Sequence, residues 1–281
     1  MNAHNISNKT PHLHSSISHA IDYYIRHAAQ YQKAFVNSEQ YRYKRLKVEL
    51  GSYRLVDLSP ELIRSFIDRR LTKVKPSSAK RDICALQRCW NWYNWYRRDL
   101  GMRLDDHFKH VRLPVDNTVR EFIPTDFQLK QIIDLLPTHV KPIIELLAET
   151  ACRRSEILKL TVQDVNLHQR TIYLRNTKNG FDRVVPLSKK ACVILNEAIN
   201  RGKNKLFDIE ADHVTRQFRI AADRAGCPLC VVHSLRHYKL SKLISQGIDH
   251  VIVAKISGHQ DIRMLQRYVK LDASGLAHLM D

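Results

Sequence analysis

Residues 171–187 (Thr-Ile-Tyr-Leu-Arg-Asn-Thr-Lys-Asn-Gly-Phe-Asp-Arg-Val-Val-Pro-Leu) decide the fold class, because they hold two short β-type runs in a largely helical pattern. The runs cover residues 171–175 and 183–187 and are rich in β-branched and aromatic side chains. Between them, Asn179-Gly180 is a strong hairpin signal, since both residues tolerate positive φ. The pattern predicts a hairpin with Lys178 at or beside its tip. We therefore expect a mainly α protein with one small β-sheet.

Helix signals occur on both sides of this hairpin. Ser59 precedes a proline and an apolar face at helical spacing, which is typical of a capped helix start. Pro76 opens another predicted helix that extends to about Asp99. Thr125 and Gln128 form a capping-box pattern before a further helix, and an apolar helix follows at 141–150. The segment after the hairpin is also predicted to be helical, with breaks at glycines.

The chain is long enough for two domains. Residues 111–120 contain proline and polar side chains without periodicity, which is typical of a linker. We predict a flexible N-terminus at 1–14, a helical domain at 15–110, the linker at 111–120 and an α+β domain at 121–281.

Composition narrows the class of protein. The 281 residues are 44% apolar, with a net charge of +18 from 46 Lys and Arg against 28 Asp and Glu. The basic excess is spread over both halves, which favours a polyanionic partner such as nucleic acid. No apolar run of about 18 residues predicts a membrane span. No secretion signal is evident at the N-terminus, so we expect a cytoplasmic protein with reduced cysteines.

Chemistry-bearing motifs follow one another through the second half. They are Thr150-Ala-Cys-Arg-Arg-Ser-Glu-Ile157, the hairpin Lys178, His233-Ser-Leu-Arg-His237, Ser257-Gly-His259 and an Arg-Tyr pair ending at Tyr268. In this order and spacing, residues of about 120–275 resemble the catalytic domain of the tyrosine recombinase (phage integrase) family. Each motif alone is weak, and the five in order are strong. The helical first half resembles the core-type DNA-binding domain of that family only in outline.

The resemblance implies a role for each matched residue. Arg153 and Arg236 are expected to bind the scissile phosphate, since planar guanidinium groups donate paired hydrogen bonds to its oxygens. Tyr268 is the expected nucleophile, which would leave a 3′-phosphotyrosine and a free 5′-hydroxyl. The remaining matches give Lys178 as general acid, His233 as an aid to proton movement at the nucleophile, and His259 as a hydrogen-bond partner of the phosphate.

Two neighbours of these residues receive no catalytic role from the sequence. Glu156 is expected to anchor the arginine motif, and His237 is assigned to packing. The spelling departs from the family pattern at Ala151, Ser234, Ser257 and Leu265, which indicates a divergent member. None of these departures falls on a residue that the family uses to react.

A zinc site is an alternative for one motif. Cys227-Pro-Leu-Cys230 followed by His233 and His237 has zinc-like spacing. There is no second Cys-x-x-Cys, and His233 already belongs to the recombinase motif. We therefore predict no metal and no cofactor, since the phosphotyrosine retains the bond energy needed for resealing.

The expected function is site-specific DNA recombination or integration by DNA strand transfer. Alternatives are relaxation of DNA by a type IB topoisomerase-like enzyme and a non-catalytic DNA-binding protein. The expected partners are double-stranded DNA and accessory DNA-bending proteins. On paired DNA sites the chain is expected to form a homotetramer. A bacterial or phage-encoded mobile element fits this chemistry. The tail from Leu271 to Asp281 is expected to pack on its own or a neighbouring protomer.

Overall fold

The computed structural model describes residues 12–32, 35, 39–98, 104–116, 122–175 and 182–268. The chain divides into two compact units, Met1–Val119 and Arg120–Asp281, called here the amino-terminal and carboxy-terminal units. Several predictions concern residues outside the described ranges: most of the flexible segment 1–14, part of the linker, the hairpin tip with Lys178, and the tail from Leu271. In the described part of the chain, no helix has the length and apolar character needed to cross a membrane.

Among its described residues, the amino-terminal unit has four α-helices around one apolar core. Their bounds are α1 Ile17–His27, α2 Gln40–Leu50, α3 Pro60–Leu71 and α4 Pro76–Tyr96. Ser59 caps α3 by accepting a hydrogen bond from the backbone of Leu62, as predicted. Tyr43, Phe66 and Ile83 are fully buried in the core. Burial of each such side chain contributes roughly 1.5–3 kcal/mol to the free energy of unfolding, so the apolar core holds the unit together.

The tryptophans of the chain lie together on α4. Trp90 is buried, and its indole N–H donates to the carbonyl of Asp105 at 3.1 Å. Trp92 is half-buried and stacks on Tyr96 with ring centroids 5.1 Å apart, whereas Trp95 is 68% exposed. Trp90 and Trp92 therefore pack in or against the core, and the indole of Trp95 faces solvent.

The carboxy-terminal unit contains seven α-helices and one sheet among its described residues. The helices are α5 Asp126–Asp134, α6 Lys141–Thr150, α7 Arg154–Ile157, α8 Lys189–Asn200, α9 Ala211–Arg224, α10 Val232–Ser245 and α11 His250–Ser257, followed by a 3₁₀ helix at Ile262–Tyr268. The predicted capping box is present, because Thr125 accepts from the backbone of Gln128 and the Gln128 side chain accepts from the backbone of Thr125. Helix α6 packs against both α8 and α10 at the centre of this unit.

The sheet has three antiparallel strands in the order β1 Val165–Asn166, β2 Thr171–Leu174 and β3 Arg183–Pro186. Strands β2 and β3 are the two runs predicted from the sequence, and Ile172 pairs with Val185 in their register. Side chains alternate as expected for a sheet with one covered face: Ile172 is buried and Tyr173 is exposed. The mainly α fold with a small sheet is confirmed. Strand β1 escaped prediction because two residues are too short to show alternation.

Two left-handed residues end the helices that lead into the motifs. Ala151 follows α6 with a φ of 56°, and Gly258 follows α11 with a φ of 73°. At both positions the chain reverses out of the helix and places the next motif residue, Arg153 or His259, beside it. A Cβ at Gly258 would lie 3.0 Å from the guanidinium of Arg183, so a larger residue there would push that side chain aside in addition to the strain of its positive φ.

Candidate active site

Arg153 is fixed at the sharp turn between α6 and α7. Its backbone N–H donates to Glu156 Oε2 at 2.7 Å, and its side-chain Nη1 donates to Glu156 Oε1 at 2.9 Å. The side chain remains 21% exposed. It lines a pocket of about 320 Å³ together with Cys152, His233 and Arg236. One edge of the guanidinium is therefore held in place while the side chain still reaches the pocket.

Glu156 joins the arginine motif to the sheet. Its carboxylate also accepts two hydrogen bonds from Arg183 at the start of β3, at 3.0 and 2.7 Å. Arg183 in turn donates from Nε to the carbonyl of Ile256 in α11 at 3.0 Å. Burial alone would raise the pKa of Glu156, but the hydrogen bonds from Arg183 and Arg153 outweigh it and hold the pKa below its usual value. The acid is thus an ionised anchor, the structural part expected from the sequence.

Arg236 is buried on α10 and is held by backbone carbonyls. Nη1 donates to the carbonyl of Ala151 at 2.7 Å, and Nη2 donates to the carbonyl of Ser257 at 2.7 Å. Burial, reinforced by the charge of Arg153, lowers the pKa of Arg236 to about 10. The side chain still carries its charge at pH 7. Carbonyl oxygens position this cation without neutralising it.

His259 contacts Arg236 and is oriented by Ser257. The imidazole Nε2 lies 3.3 Å from Arg236 Nη2, and Nδ1 lies 2.7 Å from Ser257 Oγ. The Ser257 hydroxyl donates to the carbonyl of Val253 at 2.7 Å, so its oxygen is left to accept from Nδ1–H. This pattern selects the tautomer whose Nε2 lone pair faces the arginine. Ser257, one of the departures from the family pattern, therefore orients His259.

Tyr268 ends the 3₁₀ helix and is buried in a small cluster with Leu240, Val253 and Leu265. Its hydroxyl forms a short hydrogen bond with Nδ1 of His237. The His237 ring meets the ring of His233 edge-on, with centroids 4.7 Å apart. The two histidines lie four residues apart on α10, so they share one face of that helix.

The structure brings most of the predicted site together. Arg153, His233 and Arg236 line one pocket, and His259 contacts Arg236. Tyr268 contacts His237, which the sequence had assigned to packing. The spacing of four residues from His233 was the signal that could have identified His237. Lys178 lies outside the described residues.

The cysteines of the zinc-like motif occupy a different environment. Cys227 and Cys230 are buried in the main apolar core of the carboxy-terminal unit. Within the described ranges, no group of three or more His, Cys, Asp or Glu side chains is arranged to hold a metal ion.

Comparison with known proteins places this geometry in a family. The model of the Phage integrase family matches residues 124–274, which is more than half of the chain. The chain belongs to this family of tyrosine recombinases. The match contains each motif described above, including the arginines and Tyr268.

Curated relatives and solved structures agree with this family. The tyrosine recombinase XerA of Saccharolobus solfataricus is 31% identical, over 57% of this chain and 57% of its own length. The shufflon-specific DNA recombinase of Escherichia coli is 28% identical, over 95% of this chain and 72% of its own length. Lambda integrase, solved as a tetramer bound to a Holliday junction, superposes with a TM-score of 0.75 at 18% identity, covering 92% of this chain and 80% of that one. At this identity, the lambda comparison shows the fold alone.

Proposed function

We propose that this tyrosine recombinase cuts and rejoins double-stranded DNA at specific sites through a 3′-phosphotyrosine intermediate. The observation that supports this most directly is the pair Arg153 and Arg236 at one pocket. Two guanidinium groups face the same space, and the partners described for Arg236 are two carbonyls and an imidazole. Their mutual repulsion would be relieved by an anion that takes hydrogen bonds from both, as a phosphodiester does.

In the proposed reaction, one phosphoester replaces another. The oxygen of Tyr268 attacks phosphorus, the bond between phosphorus and the 5′ oxygen breaks, and the 5′ oxygen leaves as a hydroxyl. Arg153 and Arg236 stabilise the charge that develops on the non-bridging oxygens. We assign delivery of the proton to the 5′ oxygen to Lys178. Attack by a 5′-hydroxyl from another strand reverses the step, and no nucleoside triphosphate is consumed.

The proposed substrate is duplex DNA bound by both units. The net charge of +18 suits a polyanion, and each lysine or arginine placed on a phosphate releases counterions. We propose a homotetramer on paired DNA sites, by analogy with the lambda integrase tetramer on its junction. Accessory DNA-bending proteins and action in the cytoplasm of a bacterium, on a phage or another mobile element, belong to the same proposal.

The test is capture of a covalent protein–DNA adduct. The full chain is incubated with a library of nicked duplexes whose central segment is randomised, and adducts that survive detergent are sequenced. We expect enrichment of one sequence, with all adduct lost in Tyr268→Phe. Tyr238→Phe is the matched control, because Tyr238 lies on α10 but donates to Asp126 instead of facing the site.

The control variant should form adduct like the unsubstituted protein. Absence of adduct on every sequence would contradict the proposal and favour a non-catalytic DNA-binding protein. Relaxation of a supercoiled plasmid that carries the selected sequence, without strand exchange between two duplexes, would favour a topoisomerase.

A further inference from the structure

The hydroxyl of Tyr268 has a specific partner in the structure, and that partner is His237. The imidazole Nδ1 of His237 and the phenol oxygen form a direct hydrogen bond, and the ring centroids are 5.5 Å apart. A phenol has a pKa of about 10, so it needs a proton acceptor in order to attack phosphorus at neutral pH. The acceptor must lie within hydrogen-bond distance of the hydroxyl, as His237 does.

We propose that His237 is a catalytic residue that accepts the proton of the Tyr268 hydroxyl during DNA cleavage; this rests on the function proposed above. Sequence resemblance assigned proton movement at the nucleophile to His233. In the structure His233 lines the pocket of Arg153 and Arg236, and its ring meets the edge of His237. The two histidines thus have different roles. His233 lines the pocket of the two arginines, and His237 contacts the hydroxyl of the nucleophile.

The surroundings fix the position of His237. It follows Arg236 directly on α10, and Arg236 is tied to the carbonyls of Ala151 and Ser257, which lie on other elements of the unit. Tyr268 is 8% exposed in an apolar cluster, and its hydrogen bond to His237 is partly buried. A hydrogen bond to a side chain on a fixed helix keeps donor and acceptor aligned before the reaction begins.

The proton balance of the step is complete. As the bond between the Tyr268 oxygen and phosphorus forms, the phenol proton moves to Nδ1 of His237, whose own N–H is on Nε2. The bond between phosphorus and the 5′ oxygen breaks, and that oxygen receives a proton from Lys178, the donor proposed above. On resealing, the 5′-hydroxyl returns its proton to Lys178 as its oxygen attacks phosphorus, and the departing phenolate recovers its proton from the His237 imidazolium.

Two substitutions separate proton acceptance from positioning. The amide oxygen of His237→Asn can accept a hydrogen bond near the position of Nδ1, but it cannot take a proton. His237→Ala removes both functions. His213→Asn is the matched control, since His213 lies on α9 and contacts His139 instead of the nucleophile. Thermal unfolding of each variant verifies that the fold is retained.

The experiment measures single-turnover cleavage on the selected duplex, in one form with the natural 5′ oxygen and in a second with sulfur at that position. A departing thiolate needs no proton, so the sulfur substrate restores a variant that lacks only the general acid, as we expect for Lys178→Ala. Both His237 variants should be slowed by about 10²-fold or more on both substrates, since proton transfer contributes about 10²–10⁴-fold. The control should match the unsubstituted chain.

Three results would overturn the inference: His237→Asn cleaving at the unsubstituted rate, recovery of His237→Ala on the sulfur substrate, or faster cleavage by either variant. Faster cleavage would make His237 a residue that restrains Tyr268. Failure of the proposed function is distinguishable, because the unsubstituted chain would then form no adduct that depends on Tyr268.

Discussion

Asp82 in the amino-terminal unit and Glu156 in the carboxy-terminal unit are both buried carboxylates surrounded by arginine side chains. Asp82 is 1% exposed in its side chain and lies within 3.4 Å of three guanidiniums, those of Arg42, Arg45 and Arg70. Glu156 binds Arg153 and Arg183 instead. The two clusters contain similar groups but distribute charge differently.

The two clusters differ in how Arg236, the arginine near Glu156 that is not paired with it, is held. Around Asp82 each of the three arginines is paired with the same carboxylate, so the cluster satisfies its own charges as far as one acid can. Beside Glu156, Arg236 is held by carbonyl oxygens, and its pKa falls to about 10. A carbonyl fixes a guanidinium in position but leaves its charge available. The first cluster is built for stability, and the second leaves a cation facing a pocket.

The largest effect we expect is on the stability of the amino-terminal unit. Asp82→Asn leaves three arginines without their carboxylate and should lower the free energy of unfolding by about 3–5 kcal/mol, as breaking a buried ion pair does. The three tryptophans all lie on α4, so their fluorescence during urea unfolding reports this unit selectively.

Asp22→Asn is the control, because Asp22 pairs with Lys47 in a partly exposed bridge. It should cost less than about 1 kcal/mol. An equal loss of unfolding free energy in the two variants would show that the Asp82 cluster stabilises the unit no more than a partly exposed ion pair does.

The next effect is on the rate of DNA cleavage, which should depend on Arg236 but not on Arg70. Arg236→Lys keeps a charge but loses the planar fork, and we expect single-turnover DNA cleavage to fall by about 10²–10³-fold, as for loss of one donor to a transition-state oxyanion. Arg70→Lys should alter cleavage at saturating DNA by less than about threefold, because Arg70 is engaged with Asp82. Cleavage by Arg236→Lys within tenfold of the unsubstituted rate would remove the distinction between the clusters.

Local sequence patterns were sufficient for most of the described fold. The capping box at Thr125, the cap at Ser59 and strands β2 and β3 follow from spacings of two to four residues, and the structure has each of them. The left-handed turn at Ala151 lies at one of the positions where the sequence departs from the family pattern. These features are predictable because neighbouring residues determine them.

The supporting contacts of the site were not predictable in the same way. Arg183 had been noted only as a strand residue, yet it binds Glu156 from 27 positions away. His237 meets Tyr268 across 31 positions. Periodicity and motif spacing describe one element at a time, whereas these contacts exist only after several elements pack together. The motif residues could be named from the sequence, but their partners required the structure.

The smallest effect tests whether the charge of Arg236, which is held by carbonyl oxygens, creates an anion site in the absence of DNA. Inorganic phosphate should stabilise the carboxy-terminal unit relative to chloride at equal ionic strength, by about 1 kcal/mol at roughly five times its dissociation constant. Calorimetry should show this shift, and tryptophan fluorescence, which reports the other unit, should show a smaller one. Arg236→Gln should abolish the phosphate-specific shift, whereas Arg263→Gln, at an exposed arginine paired with Asp261, should retain it. An equal shift in both variants would mean that phosphate acts through general exclusion from the protein surface. In that case Arg236 would bind no anion in the absence of DNA, as expected for the arginines around Asp82.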